Sequence, residues 1–555
     1  MQYPADYAVF LQLSPTDVQA LADELTQRPL NAESVDQWLR DWAQIGVLFQ
    51  ESHARLDIAV SVNTADEAAA ERLQTFRQTI WPIGHKIPPL MRARLFEHQA
   101  VLPPALVSLI DEIKRKGRLN QSDAAIALLK ERYELADEYG ALLGAQSIMW
   151  QGQTLTDRQA RNFFNHPDVQ VRENVWRLVM ARRNQDHEAI TTIWMKILTL
   201  HENIARVNGF ENYIDYLWQE MDRLDYSPHE SQAMHQTMLD SWSPLYGHVM
   251  AKKQQALGLA TLQPWDVEAP TYGEPLKPFS SAEELLAKTS RLFHRLDPDF
   301  GANFDRLVAM GFIDIAVREN TAPVGGFARA VGTTGVFVML NCQGQRVDVE
   351  NLIHEMGHAL ALIECCKLPY HFQWGFSFDF CETPSSVMEM LSIPYWDEFY
   401  EPTALVQARH EYFEEMVRAS LGDVMSESFQ LWVYSHLDEA RDPAKCDAKW
   451  LELHQRYLPN VEWQHDAVAQ GWQRCIPFFI PFVPSVEYVY GRIAGLNLLQ
   501  EIEQDQPTAV ARYKRAIGMG TSATTREIFS MLGTRFFFTP KDAARAAKQI
   551  EGYLN

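Results

Sequence analysis

Along most of the chain apolar residues return every three or four positions, with charged residues filling the intervals. Residues 153–210 show the pattern: Val175, Leu178, Val179, Ala189, Ile190, Ile193, Trp194, Ile197 and Leu198 recur at helical spacing. Such a period places one stripe of each helix against a core and leaves the rest to water. Thr156 and Asp157 read as a helix start, and Gly209 as a stop. Pro- and Gly-containing breaks fall near 82–89, 264–278 and 297–301, each too short for a flexible linker. The period changes between about 312 and 345, in "FIDIAVRENTAPVGGFARAVGTTGVFVMLNCQGQ". Its β-rich runs, broken by Gly-Gly and Gly-Thr-Thr-Gly, predict a small sheet of two to four strands, with "GVFVMLN" the clearest. Helix resumes directly afterwards. The fold class expected is mostly α with one small β-sheet.

Composition narrows the function classes. With 46% hydrophobic and 22% charged residues, the 555-residue chain reads as an ordinary globular protein with a large core. A net charge of −22 argues against a nucleic-acid partner, which would call for a basic stripe. No apolar run approaches the roughly 20 residues that span a bilayer, so no membrane partner is expected. The N-terminal stretch "MQYPADYAVFLQLSPTDVQ" lacks the charged-then-apolar pattern of a secretory signal. The six cysteines show no C-x-x-C spacing and suit reduced thiols, so the expected location is cytoplasmic.

One helix breaks its own pattern. In "DVENLIHEMGHALALIECCKL", residues 348–368, apolar neighbours surround His354, Glu355 and His358. Buried ionisable groups are costly unless paired or bound to a metal. Residues i and i+4 share a helix face, so His354 and His358 can present two imidazoles to one ion. Glu355 lies beside them, placed to take a proton from a metal-bound water. H-E-x-x-H is a zinc hydrolase signature for this reason. Gly357 suits a close approach by a neighbouring element.

A catalytic zinc needs a third protein ligand. The next segment, "FSFDFCETPSSVMEMLSIPYW", offers Glu382 at the start of a helix and Glu389 seven residues on, two turns along the same face. One of the pair can bind the ion while the other orients a ligating histidine. Asp379 and Glu364 compete for the third position. A second Glu-x-x-His pair, Glu462 and His465, leaves a di-iron carboxylate site in a helical bundle as a remote alternative.

H-E-M-G-H followed 24 residues later by the Glu of "FCETPSSVMEM" resembles the thimet oligopeptidase/oligoendopeptidase F family of zinc metallopeptidases. "VFVMLNCQGQRVDVENLIHEMGHAL" is similar to that family's substrate-binding edge strand and zinc helix. "IARVNGFENYIDYLWQEMDRLDYS" and "LGLATLQPWDVEAP" resemble its upstream helical segments. The resemblance covers roughly 155–555, and the first 150 residues match more loosely. It implies a large helical two-lobed peptidase with a deep channel, divided into an N-terminal helical domain (1–154) and a zinc metallopeptidase catalytic domain (155–555). It also implies one zinc ion per chain on His354, His358 and Glu382, with Glu389 behind the ligands. Glu355 would activate the zinc-bound water, and the substrates would be short oligopeptides.

The family also places tyrosines, and usually a histidine, in a C-terminal segment facing the metal, where they bind the substrate carbonyl and its developing oxyanion. In "RCIPFFIPFVPSVEYVYGRIAGLNLLQ" the matching tyrosines are Tyr488 and Tyr490. No histidine follows His465; Cys475 or Phe478 stands near its expected place. That departure motivates an alternative, a peptide-binding protein that keeps zinc but has weakened turnover. Gly325 and Gly326, with Val338 and Leu340 of the clearest strand, are the expected substrate-binding residues, since a strand edge can take an extended peptide through main-chain bonds.

Overall fold

Helices occupy most of the chain in the computed structural model, which describes residues 3–102, 106, 110, 119–120, 122–315, 321 and 325–555. The 153–210 pattern becomes helices Val169–Asn184 and His187–Val207, burying Val175, Val179, Ile190, Ile193, Trp194, Ile197 and Leu198. Leu178 and Ala189 of the same stripe are exposed. Thr156 caps a short helix, accepting from the Gln159 N–H, and Gly209 follows Val207 with φ of +84°. The break near 82–89 is absent: Trp81–Glu97 is one helix with Pro82 in its first turn and Pro88 and Pro89 inside it. Ile87, Met91 and Leu95, four residues apart, are all buried, and that packing offsets a proline cost of about 3 kcal/mol.

Among the described residues two sheets form rather than one. Strands β1 (Ser147–Trp150) and β2 (Gln153–Thr156) make an antiparallel hairpin. Its two-residue turn, Gln151–Gly152, has both φ values positive, at 50° and 81°. The second sheet contains β3 (Ile313–Asp314), β4 (Gly326–Val331) and β5 (Gly335–Leu340) in the order β3-β5-β4. Part of the predicted strand region, 316–320 and 322–324, lies outside the described residues. Strand β5 pairs with β3 in parallel and with β4 antiparallel, and all six of its residues are buried. Its unbroken apolar run is what a strand covered on both faces requires. Val338 and Leu340 therefore sit in the middle strand, and among the described residues β3 and β4 are the edges. This corrects the expectation of an edge strand at "VFVMLN".

The chain forms two compact units. One unit comprises Met1–Arg118, Lys277–Tyr400 and Ala494–Phe536. Its N-terminal helices share a core containing Phe10, Trp38, Trp42 and Phe49, onto which Tyr370 and Phe372 pack. Trp42 stacks on Phe372 with ring centroids 4.5 Å apart. The β3–β5 sheet lies in this unit too: Phe327, Val331, Phe337 and Met339 pack with Ile58 and Val62 of the Val35–Val62 helix. The other unit comprises Leu119–Leu276, Glu401–Ile493 and Phe537–Asn555. It is built around the long helices Pro228–Leu257 and Pro402–Ser435, with the Trp242 indole donating to the Ala543 carbonyl at 3.1 Å. Among the described residues, no helix is long and apolar enough to cross a membrane.

Candidate active site

The histidine helix spans Arg346–Cys365, and its start is fixed locally: the Gln343 and Gln345 N–H groups donate to Asp348 Oδ2 at 2.7 and 2.8 Å. The glutamate helix follows at Thr383–Ser392, with Glu382 at its N-cap and Pro384 in its first turn. Gly357 lets the two helices meet. A Cβ there would lie 2.6 Å from Ser385 Cα and 2.8 Å from the Pro384 carbonyl, backbone that cannot give way. The Tyr513 hydroxyl donates to the same Pro384 carbonyl at 2.9 Å, tying the close approach together.

This approach brings three donors to one point. Among the described residues His354, His358 and Glu382 form a group whose ligand atoms all lie within 4.8 Å of one another. His354 Nε2 and His358 Nε2 stand 3.2 and 3.3 Å from the same oxygen, Glu382 Oε2. Donors about 2.0–2.1 Å from a tetrahedral ion are separated by about 3.3 Å, so these spacings fit a zinc-sized cation. His354 Nδ1 meets Glu389 Oε1 at 2.6 Å, which turns Nε2 towards the ligand set. Ser385 Oγ donates to the Glu382 backbone carbonyl at 2.9 Å and to Oε2 at 3.3 Å, steadying the carboxylate.

The electrostatics point the same way. Burial opposes a charge on His354, but hydrogen bonds to Glu382 and Glu389 outweigh it and hold its pKa well above the ordinary imidazole value. Burial pushes Glu382 upward, and the two imidazoles more than reverse that, leaving it well below the usual carboxylate range. The site draws a positive charge into its centre, a role a metal ion fills while displacing the proton. Glu355 differs. Burial raises its pKa, and His354 and His358 recover only part of the shift. A carboxylate with raised proton affinity suits a proton acceptor.

Glu355 also lies against the sheet. A Cβ at Gly326 would meet Glu355 Oε1 at 3.1 Å, so a glycine there lets the β4 backbone approach the carboxylate. Gly325 is exposed, whereas Val338 and Leu340 are buried in β5. Of the competing acids, Asp379 is buried in the short Phe378–Phe380 turn, and Glu364 accepts from Lys367 Nζ at 2.6 Å. Neither joins the ligand group. Glu462 lies outside any helix, and His465 Nε2 contacts Gln263 Oε1 at 3.1 Å, so the second Glu-x-x-His pair has no helical face to share.

The two tyrosines belong to the helix Glu487–Ile502. Tyr490 is buried, and Tyr488 is half-buried with the Arg492 guanidinium 5.3 Å over its ring. Arg492 is held in turn by Asp423 Oδ2 at 2.7 Å. Cys475 and Phe478, near the place of the missing histidine, are both buried, and burial pushes the Cys475 thiol up to about 12. It is no substitute for an imidazole. Ser385, Tyr513 and Asp348 were not singled out from the sequence. Tyr513 acts across a long stretch of chain, whereas Ser385 lies three residues from Glu382 and Asp348 three residues after Gln345, where it forms a capping box.

Known proteins match on both sequence and fold. An oligoendopeptidase F homolog of Lactococcus lactis subsp. lactis (strain IL1403) is 20% identical over 332 residues, or 54% of this chain. The match spans about half, 49%, of that relative's length. The structure of PZ peptidase A with an inhibitor superposes with a TM-score of 0.87 at 18% identity, covering 100% of this chain and 98% of that one. A Bacillus anthracis str. Ames structure provisionally assigned as oligoendopeptidase F gives 0.82 at 19% identity, covering 100% and 97%. At such identities the superpositions show a shared fold. The family model for peptidase family M3 matches residues 163–545, well over half the chain and including every ligand candidate above. The chain belongs to peptidase family M3.

Proposed function

We propose that this protein is a zinc-dependent endopeptidase hydrolysing short oligopeptides, with one zinc ion held by His354, His358 and Glu382. The observation that carries the reading is the pair of 3.2 and 3.3 Å separations from Glu382 Oε2 to the two imidazole nitrogens. A zinc ion at such a site lowers the pKa of water towards about 7 and polarises a carbonyl. Glu355 accepts the proton of the attacking water and returns it to the leaving amine nitrogen. Its raised pKa favours both halves of that task. Glu389 fixes the orientation of His354 through Nδ1.

Gly325 and Gly326 on the β4 side accept the peptide backbone near Glu355. Tyr488, with Tyr490 as the second candidate, donates to the developing oxyanion. This assignment rests on the matching family motif and on the partial exposure of Tyr488. Six free cysteines support a reducing, cytoplasmic setting.

The test is reconstitution. Chelated protein is reloaded with zinc, its metal content is measured, and a mixed oligopeptide pool is mapped by mass spectrometry before and after. The expected result is one zinc per chain and internal cleavage that follows the metal. Two iron ions per chain, or cleavage indifferent to chelation, would overturn the reading. Tight peptide binding by fully loaded protein without cleavage would favour a weakened, peptide-binding descendant.

A further inference from the structure

Strand β4 is one of the two edges of its sheet among the described residues, and residues 326–329 are partly exposed while Ala330 and Val331 are buried. Side chains alternate along a strand, so Gly326 and Ala328 face the histidine helix while Phe327 and Arg329 face the Val35–Val62 helix. Three residues of strand, about 10 Å, separate Gly326, which lies against Glu355, from Arg329.

Arg329 stands in an uneven charge cluster. Its Nη1 lies 2.6 Å from Asp57 Oδ2, and Arg77 Nη2 donates to the other oxygen, Oδ1, at 2.8 Å. Two guanidiniums thus share one carboxylate. Among the described residues, the other titratable groups nearby do not balance them. Burial lowers the pKa of His53, stacked on Trp81, to about 4, and burial lowers that of His85 as well, so both are neutral at pH 7. Glu51 is taken by Arg55 at 2.7 Å. Arg329, Arg77 and Asp57 together carry about one unit of positive charge in a chain whose net charge is −22. Asp57 engages one end of the Arg329 guanidinium, and the side chain stays 36% exposed, with donors to spare.

We propose that Arg329, anchored by Asp57 and backed by Arg77, is a specificity-determining residue that recognises a carboxylate on the peptide substrate. The inference rests on the peptidase reading above and adds a substrate class: peptides carrying an acidic group about three residues from the scissile bond. A peptide lying along β4 places a side chain beside Arg329, within reach of a charge-assisted hydrogen bond. Either an aspartate or glutamate side chain or a C-terminal carboxylate supplies the group.

The experiment uses the zinc-loaded full-length protein and a matched peptide series. Glu, Gln or Lys is placed at each position flanking one scissile bond, and each peptide is made as free acid and as C-terminal amide. The wild type prefers the carboxylate peptide by about ten-fold in kcat/KM at one position. A preference that follows Glu over Gln identifies a side chain as the source; one that follows acid over amide identifies the terminus. Arg329→Gln abolishes the preference while cleaving the neutral peptide within about two-fold of wild type, and Arg329→Glu inverts it towards Lys. Arg77→Gln, at a more exposed residue, lowers the preference by a smaller factor and serves if the Arg329 variants do not fold. A preference that survives Arg329→Gln, or no preference in the wild type, overturns the proposal. A zinc-loaded wild type that cleaves nothing overturns the peptidase reading instead.

Discussion

Two clusters of buried ionisable groups, one in each compact unit, solve the same electrostatic problem in different ways. In the unit holding the sheet, His354, His358, Glu382, Glu389 and Glu355 converge with carboxylates and imidazoles as their charge-bearing groups. In the other unit, Glu427 and Glu487 converge on Arg223, with side chains 2%, 1% and 4% exposed. His235 Nε2 joins Glu427 Oε2 at 2.7 Å, and Ser231 Oγ donates to the same oxygen at 3.1 Å. Burial raises Glu427, but Arg223 and His235 reverse that and hold it down at about 2. The second cluster carries its own permanent cation; the first draws a proton onto His354 instead. The difference separates a cluster whose donors could hold a metal ion from one that holds a cation of its own.

Mutations that exchange these properties test the comparison. Replacing a ligand has the largest effect: His358→Ala or Glu382→Ala lowers bound zinc from one per chain towards none and abolishes peptide cleavage, read by metal analysis and a fluorogenic peptide. Arg223→Met does the reverse. It strands two buried carboxylates, costs about 3–5 kcal/mol by denaturant unfolding, and leaves zinc content unchanged in the molecules that remain folded. Glu389→Gln is milder still. It weakens zinc affinity about 10–100-fold, measured by competition with a chelator, without removing a ligand. Equal metal loss in Arg223→Met and Glu389→Gln would erase the distinction.

Much of the His354, His358 and Glu382 cluster was legible because it is local. His354 and His358 share a helix face by spacing alone, and Glu382 with Glu389 repeats the device two turns apart. The choice among Glu382, Asp379 and Glu364 was not legible from spacing. It depends on Gly357 admitting the Ser385 backbone, a contact 28 residues apart. The sheet was placed correctly, yet which strand forms its edge was hidden. Strand β3 is only two residues long, and its parallel pairing turns β5 from an edge into a centre. The proline-containing helix at Trp81–Glu97 and the Gln151–Gly152 hairpin escaped for opposite reasons. Burial overrode a strong local signal in the first, and the second had only a weak turn signal to offer. The Arg223 cluster gathers residues more than 200 positions apart, and no local pattern announces it.

The central claim is that Glu355 moves the proton while His354, His358 and Glu382 hold zinc. Its most direct test is Glu355→Gln, with zinc content and the cleavage rate of one oligopeptide measured in the same preparation. The account predicts one zinc per chain, as in the wild type, and a kcat lower by about 10²–10⁴-fold. Undiminished cleavage by the zinc-loaded variant would contradict it.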